Sequence, residues 1–213
     1  MNRRLAFVVL VSVAGFAVAC SGHGGLGETS GSALPAPAGQ NASSPGLPFA
    51  GAPRVVDPLP LSVLAGDPCA DALTPDQVVA AVGASVSGQR EDLAEVGPAC
   101  AWSNRNTGGA VGVSYTLNTH VGLSGVYANT KPQSALWREL PAIQGFPVVA
   151  HAGTKGGAIP AGFCQASIGL ADNLSVDVSL TLGVSKKDTE DACSLISQIA
   201  DMTVATLRAK AGS

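Results

Sequence analysis

The chain has 213 residues, with 12 Lys and Arg against 15 Asp and Glu, a formal net charge of −3 and five cysteines. No run of the sequence concentrates basic residues, which argues against binding nucleic acid or anionic lipid through a charged patch. No cysteine pair has the Cys-x-x-Cys spacing that a redox or zinc motif requires, and no nucleotide, metal or cofactor motif is present.

Asn2, Arg3 and Arg4 precede an apolar run from Leu5 to Val18, and Ala17, Val18 and Ala19 place small residues before Cys20. This is the pattern of an export signal over residues 1–19. The run has 14 residues, short of the roughly 20 that a membrane-crossing helix needs. Cleavage by the ordinary signal peptidase after Ala19 also satisfies the pattern. Setting Cys20 aside as a lipid attachment site leaves Cys69, Cys100, Cys164 and Cys193, an even set in an exported protein. The expectation is an acylated Cys20 that tethers the protein to the extracytoplasmic side of the cell membrane.

Residues 20–66 carry seven of the fourteen prolines, with many Gly, Ser and Ala. Such a composition has little apolar surface to offset the entropy of ordering, so a tether reaching roughly 35 to 40 Å is expected. His23 stands there without partners at ligand spacing. Residues 67–213 then form one domain of ordinary size.

Asp67-Pro68-Cys69 leads into Leu73-Thr74-Pro75-Asp76-Gln77, where Thr74 caps a short helix, Gln77 completes a capping box, Leu73 and Val78 form a staple and Gly83 stops the helix. Val78, Val79 and Val82 supply its buried face, and Asp71 and Asp76 serve the helix start rather than acid–base chemistry. Cys100-Ala101-Trp102 and the alternating Val111, Val113, Tyr115 and Leu117 flank a turn at residues 104–109, a hairpin with one apolar face. Trp102 lies on the face of Cys100 and is expected to pack over a disulfide.

Residues 123–129 suit a short helix, and residues 134–140 suit either a helix or a strand. Gln144-Gly145 marks a turn, and Pro147 suggests that the following strand is an edge. Gly153-Thr154-Lys155-Gly156-Gly157 lacks the residue order of a phosphate loop and reads as a hairpin loop. Cys164, Ala166, Ile168 and Leu170 alternate, as do Leu174, Val176, Val178, Leu180 and Leu182, giving a second hairpin around Ala171-Asp172-Asn173. A helix is expected from near Asp188, with Glu190 and Asp191 in its first turn and an apolar stripe of Leu195, Ile196, Ile199, Met202 and Leu207.

These elements predict an α+β fold: an antiparallel sheet of hairpins with a short N-terminal and a longer C-terminal helix on one face. Four cysteines allow three pairings. Cys69 with Cys100 and Cys164 with Cys193 are favoured, since each joins a helix start to a strand across a loop of about 30 residues.

The order of signals, from the small-residue run before Cys20 through Asp67-Pro68-Cys69, Cys100-x-Trp102, Gly145-Phe146-Pro147-Val148-Val149, Cys164 and Cys193, resembles a family of actinobacterial secreted lipoproteins of unknown function that includes mycobacterial Lpr-type proteins. The resemblance implies an exported domain in the cell envelope and supplies no catalytic residues. Ala17 stands where a lipobox more usually has Leu.

Three functions suit these residues. A non-enzymatic module that binds a hydrophobic ligand or an envelope protein partner is favoured, because apolar faces are plentiful and reactive chemistry is scarce. An accessory subunit of an envelope machine is the alternative. A hydrolase is least favoured: Gly122-Leu123-Ser124-Gly125-Val126 misses the Gly-x-Ser-x-Gly pattern, and His120 and His151 lack an evident acidic partner.

Overall fold

A computed structural model describes residues 46–212. Cys20, His23 and the signal segment lie outside the described residues. Among the described residues, seven strands form one antiparallel sheet: β1 (Gln89–Arg90), β2 (Ala99–Asn104), β3 (Gly109–Tyr115), β4 (Ser134–Ile143), β5 (Phe146–Thr154), β6 (Phe163–Ala171) and β7 (Leu174–Thr181). Their order is β1-β2-β3-β7-β6-β5-β4. Two meanders therefore meet where β3 pairs with β7, with Val113 opposite Val178. The strand alternative for residues 134–140 is the one that forms. The turn at Gln144-Gly145 has φ of 50° and 91°, the two positive values of a type I′ hairpin turn.

The alternating apolar residues of β2, β3, β6 and β7 share one face with three helices: α1 (Pro68–Asp71), α2 (Pro75–Val82) and α4 (Ala192–Ala211). α2 begins with the expected capping box between Thr74 and Gln77 and ends on Gly83 at φ 73°. Val78 and Val82 are buried, but Val79 faces outward, because an eight-residue helix resting on a sheet buries one narrow stripe. α4 starts at Ala192, four residues later than expected. Asp191 is its cap and accepts from the Cys193 amide, while Glu190 belongs to the preceding turn, where its N–H reaches Lys186 O.

Both expected disulfides are formed, Cys69–Cys100 and Cys164–Cys193, each with Cα atoms 5.1 Å apart. Gly88 lies over the first: a Cβ there would stand 2.5 Å from Cys100 Sγ and 3.0 Å from Trp102 Nε1. Trp102 is thus the disulfide's buried neighbour, and only glycine fits above the pair.

Two further expectations are corrected. Pro147 does not mark an edge, since β5 runs between β4 and β6. It precedes the stretch paired with β6 and lies opposite the register shift between Leu140 and Ile143, so its missing N–H breaks no ladder there. Nor is the tether's last third free of the domain. Residues 61–64 form a 3₁₀ turn, and Val55, Val63 and Leu64 are buried in the main core. Arg54 pairs with Asp172 at 2.8 Å, Val55 N donates to the same carboxylate at 2.9 Å, and Leu59 N donates to Leu170 O at 2.8 Å. A few well-placed apolar residues fastened by such bonds offset the ordering entropy that the segment's composition alone would not.

The connection from β3 to β4 crosses the opposite face of the sheet. It contains the one-turn helix α3 (Leu123–Gly125), which runs on through wider and tighter turns to Gln133. Leu123 and Tyr127 pack there on Val149. Tyr127 meets Trp137 edge-on at 5.1 Å, and Lys131 Nζ lies 4.7 Å over the Tyr127 ring and 3.1 Å from Glu139.

Candidate functional site

α2 and α4 are joined at one end and parted at the other. The Gln77 side chain donates to Met202 O at 3.1 Å and accepts from Thr206 Oγ1 at 2.9 Å, which clamps the start of α2 to the later turns of α4. Toward Val82 and Gly83 the helices diverge over the ends of β3 and β7 and leave a cleft of about 640 Å³. Its floor and walls include Val82, Leu180, Leu182, Leu195, Ile199 and Met202, and its rim includes Asn104, Gln198, Lys186 and Glu190. Asn104 donates to Val82 O at 2.9 Å, satisfying a carbonyl at the end of α2 and fixing that wall to β2. Lys186 and Glu190 pair within one turn of the rim at 3.5 Å. The volume falls within the range of about 300–1,000 Å³ usual for small-molecule sites, and the cleft sets an apolar floor against polar side chains that include Thr107, Ser197 and Asp201.

The residues weighed for hydrolysis are dispersed. Ser124 is buried and its Oγ accepts from Phe49 N at 2.9 Å. His120 is exposed in a loop at φ 52°. His151 is buried on the opposite face of the sheet, its ring 6.1 Å from that of Trp137 and near-parallel to it. Among the described residues, no cluster of three or more His, Cys, Asp or Glu is placed to hold a metal ion.

His151 belongs instead to a polar row across the sheet that the alternating pattern conceals. Its Nε2 lies 3.3 Å from Ser167 Oγ, and Ser167 stands directly across from Asp177 on β7, where its hydroxyl acts on the Asp177 carboxyl. Burial holds the His151 pKa down at about 4. Burial also raises that of Asp177 to about 6, against the opposing effect of its bond from Ser167. Asp177 Oδ1 is shut off from solvent and has no hydrogen-bond partner among the described residues. Position 177 reads as outward and solvated in sequence. Only a lone carboxylate amid Ser167, Ser175 and Ser179 distinguishes it.

The fold and disulfides define a disulfide-stapled α+β domain with a cleft between two of its helices. The chain belongs to the family described as protein of unknown function, DUF3558, which matches residues 16–206. No curated protein and no solved structure matches it.

Proposed function

We propose that this chain is a lipid-anchored lipoprotein on the extracytoplasmic side of the cell membrane, and that its domain binds a hydrophobic ligand in the α2–α4 cleft without chemically transforming it. The cleft carries the binding reading: it combines an apolar floor with a rim that includes one ion pair. Export is supported by the two structural disulfides, which persist in oxidising compartments, and by the segment leading to Cys20. The actinobacterial resemblance agrees with both.

The neutral dye N-phenyl-1-naphthylamine should fluoresce on entering the cleft. Ala81→Phe, which fills the space from the α2 wall, should weaken that binding by about tenfold while both disulfides remain intact. Equal dye affinity in the variant would move the apolar site elsewhere. For the anchor, Cys20→Ser should transfer the protein from the detergent to the aqueous phase, because the anchor proposed is a diacylglyceryl group and not a single, marginal chain. Unchanged partitioning would defeat the lipoprotein reading and leave the cleft untouched.

A further inference from the structure

Among the described residues, the opposite face of the sheet is covered only in part. Over β2, β3 and β7 it opens as a shallow hollow of about 370 Å³, distinct from the α2–α4 cleft. Small side chains floor it. Ala99 and Ala101 on β2, and Gly112 and Ser114 on β3, all contribute. Gly112 keeps that floor low: a Cβ there would stand 2.6 Å from Ser179 Oγ. Asp177 and Glu91 both line the hollow, and among the described residues no lysine or arginine does. The neighbouring Arg90 is tied to Asp67 at 2.8 Å and to Asp92.

The register places the two acids at opposite ends of one row. Asp177 pairs with Ser114, Ser114 with Ala99, and Glu91 N donates to Ala99 O, extending the pairing of Arg90 with Cys100. Three strand-to-strand steps separate the two backbones by about 14 Å. Between them lie only a methyl and a hydroxyl, a track on which an unbranched aliphatic chain can lie flat. At the inner end, Asp177 Oδ1 lacks a donor, and the terminal torsion that would turn it toward the hollow is a soft one.

We infer that this hollow binds a linear aliphatic polyamine, one terminal ammonium group on Asp177 and the other on Glu91, with the methylene chain across Ala99 and Ser114. A carboxylate oxygen that has no hydrogen-bond donor among the described residues gains most from a cation that brings its own donors. The rim acid Glu91 is exposed and contributes less.

The test titrates spermidine into the full-length, ¹⁵N-labelled protein in detergent. Saturable shifts should centre on the amides of Ala101, Gly112, Ser114 and Ser179. Asp177→Asn should weaken binding by at least about tenfold and Glu91→Gln by about threefold. Asp188→Asn, an exposed acid outside the hollow, should leave affinity unchanged. The inference is overturned if Mg²⁺ at matched ionic strength gives the same shifts, if Asp188→Asn weakens binding as much as Asp177→Asn, or if no saturation is reached. Should Asp177→Asn fail to fold, Glu91→Lys on the exposed rim decides: lost binding supports the site and retained binding removes it. Dye binding in the α2–α4 cleft is read separately, so failure of either site leaves the other standing.

Discussion

Cys193→Ala should lower the unfolding free energy by about 2 to 5 kcal/mol, with the upper half of that range expected, whereas Cys69→Ala should fall nearer the lower end. The two bonds close loops of similar length, 29 and 31 residues, so loop entropy does not separate them. Burial does. Cys164 and Cys193 are both buried, on β6 and on the first turn of α4, while Cys69 is half-buried on the four-residue α1. Cutting the second bond frees the start of the helix that brings Ile196, Ile199, Ala200, Val204 and Leu207 into the core. It also leaves a cavity beside a lone thiol. Urea unfolding midpoints measure the loss. Peptide mapping of the variant should recover Cys69 linked to Cys100, with Cys164 alkylated only after unfolding. A loss under about 1 kcal/mol, or Cys164 linked to Cys69 or Cys100, would show that this bond does not hold α4 to the sheet.

What could be read in advance depends on how local the physics is. The capping box at Thr74 and Gln77, the stop at Gly83 and the alternation through β3, β6 and β7 involve neighbours a few positions apart, and each was legible. The pairing of the cysteines followed, because two of them lay on strands and two beside helix starts. The onset of α4 was misplaced because Asp188, Glu190 and Asp191 are all acidic residues suited to a helix start. Only the fold shows that Asp191 holds the Cys193 amide while Glu190 turns back to Lys186. Residues 46–66 were misread for a longer-range reason. Arg54 and Val55 are fastened to Asp172, and Leu59 to Leu170, more than a hundred positions away, and no compositional window registers such bonds. The cleft between α2 and α4 was not legible, since the Gln77 bonds that set one helix against the other join residues more than a hundred positions apart. Asp177 was hidden by the same alternation that revealed β7, because period two separates faces without saying what covers the second one.

Asp177→Asn should make the protein more stable above pH 7 and leave it unchanged near pH 3.5. The Asp177 carboxyl is raised from its ordinary 3.8 to about 6 by burial. Below pH 3.8 it is neutral in both states. As the pH rises, the unfolded chain ionises first, the folded state then binds more protons than the unfolded one, and stability falls. The loss is complete above pH 6 and amounts to about 3 kcal/mol. His151 acts in the opposite sense. Burial lowers it from 6.5 to about 4, so its contribution is whole above pH 6.5 and is lost as the pH falls toward 4, again by about 3 kcal/mol. Between pH 4 and 6 the two slopes oppose each other, and the pair, joined through Ser167, should contribute little net pH dependence. Each single variant should uncover the other's slope: Asp177→Asn a stability that climbs from pH 4 to 6.5, and His151→Gln one that declines from pH 4 to 6. Urea midpoints at half-unit pH intervals measure both, and parallel curves for wild type and Asp177→Asn would show that the carboxyl is not held above its ordinary value. A residue that costs the fold this much, and whose replacement strengthens the fold while weakening spermidine binding, would carry the opposed effects on stability and activity that mark a functional group. Greater stability with spermidine binding intact would make Asp177 a defect of the second face and not its site.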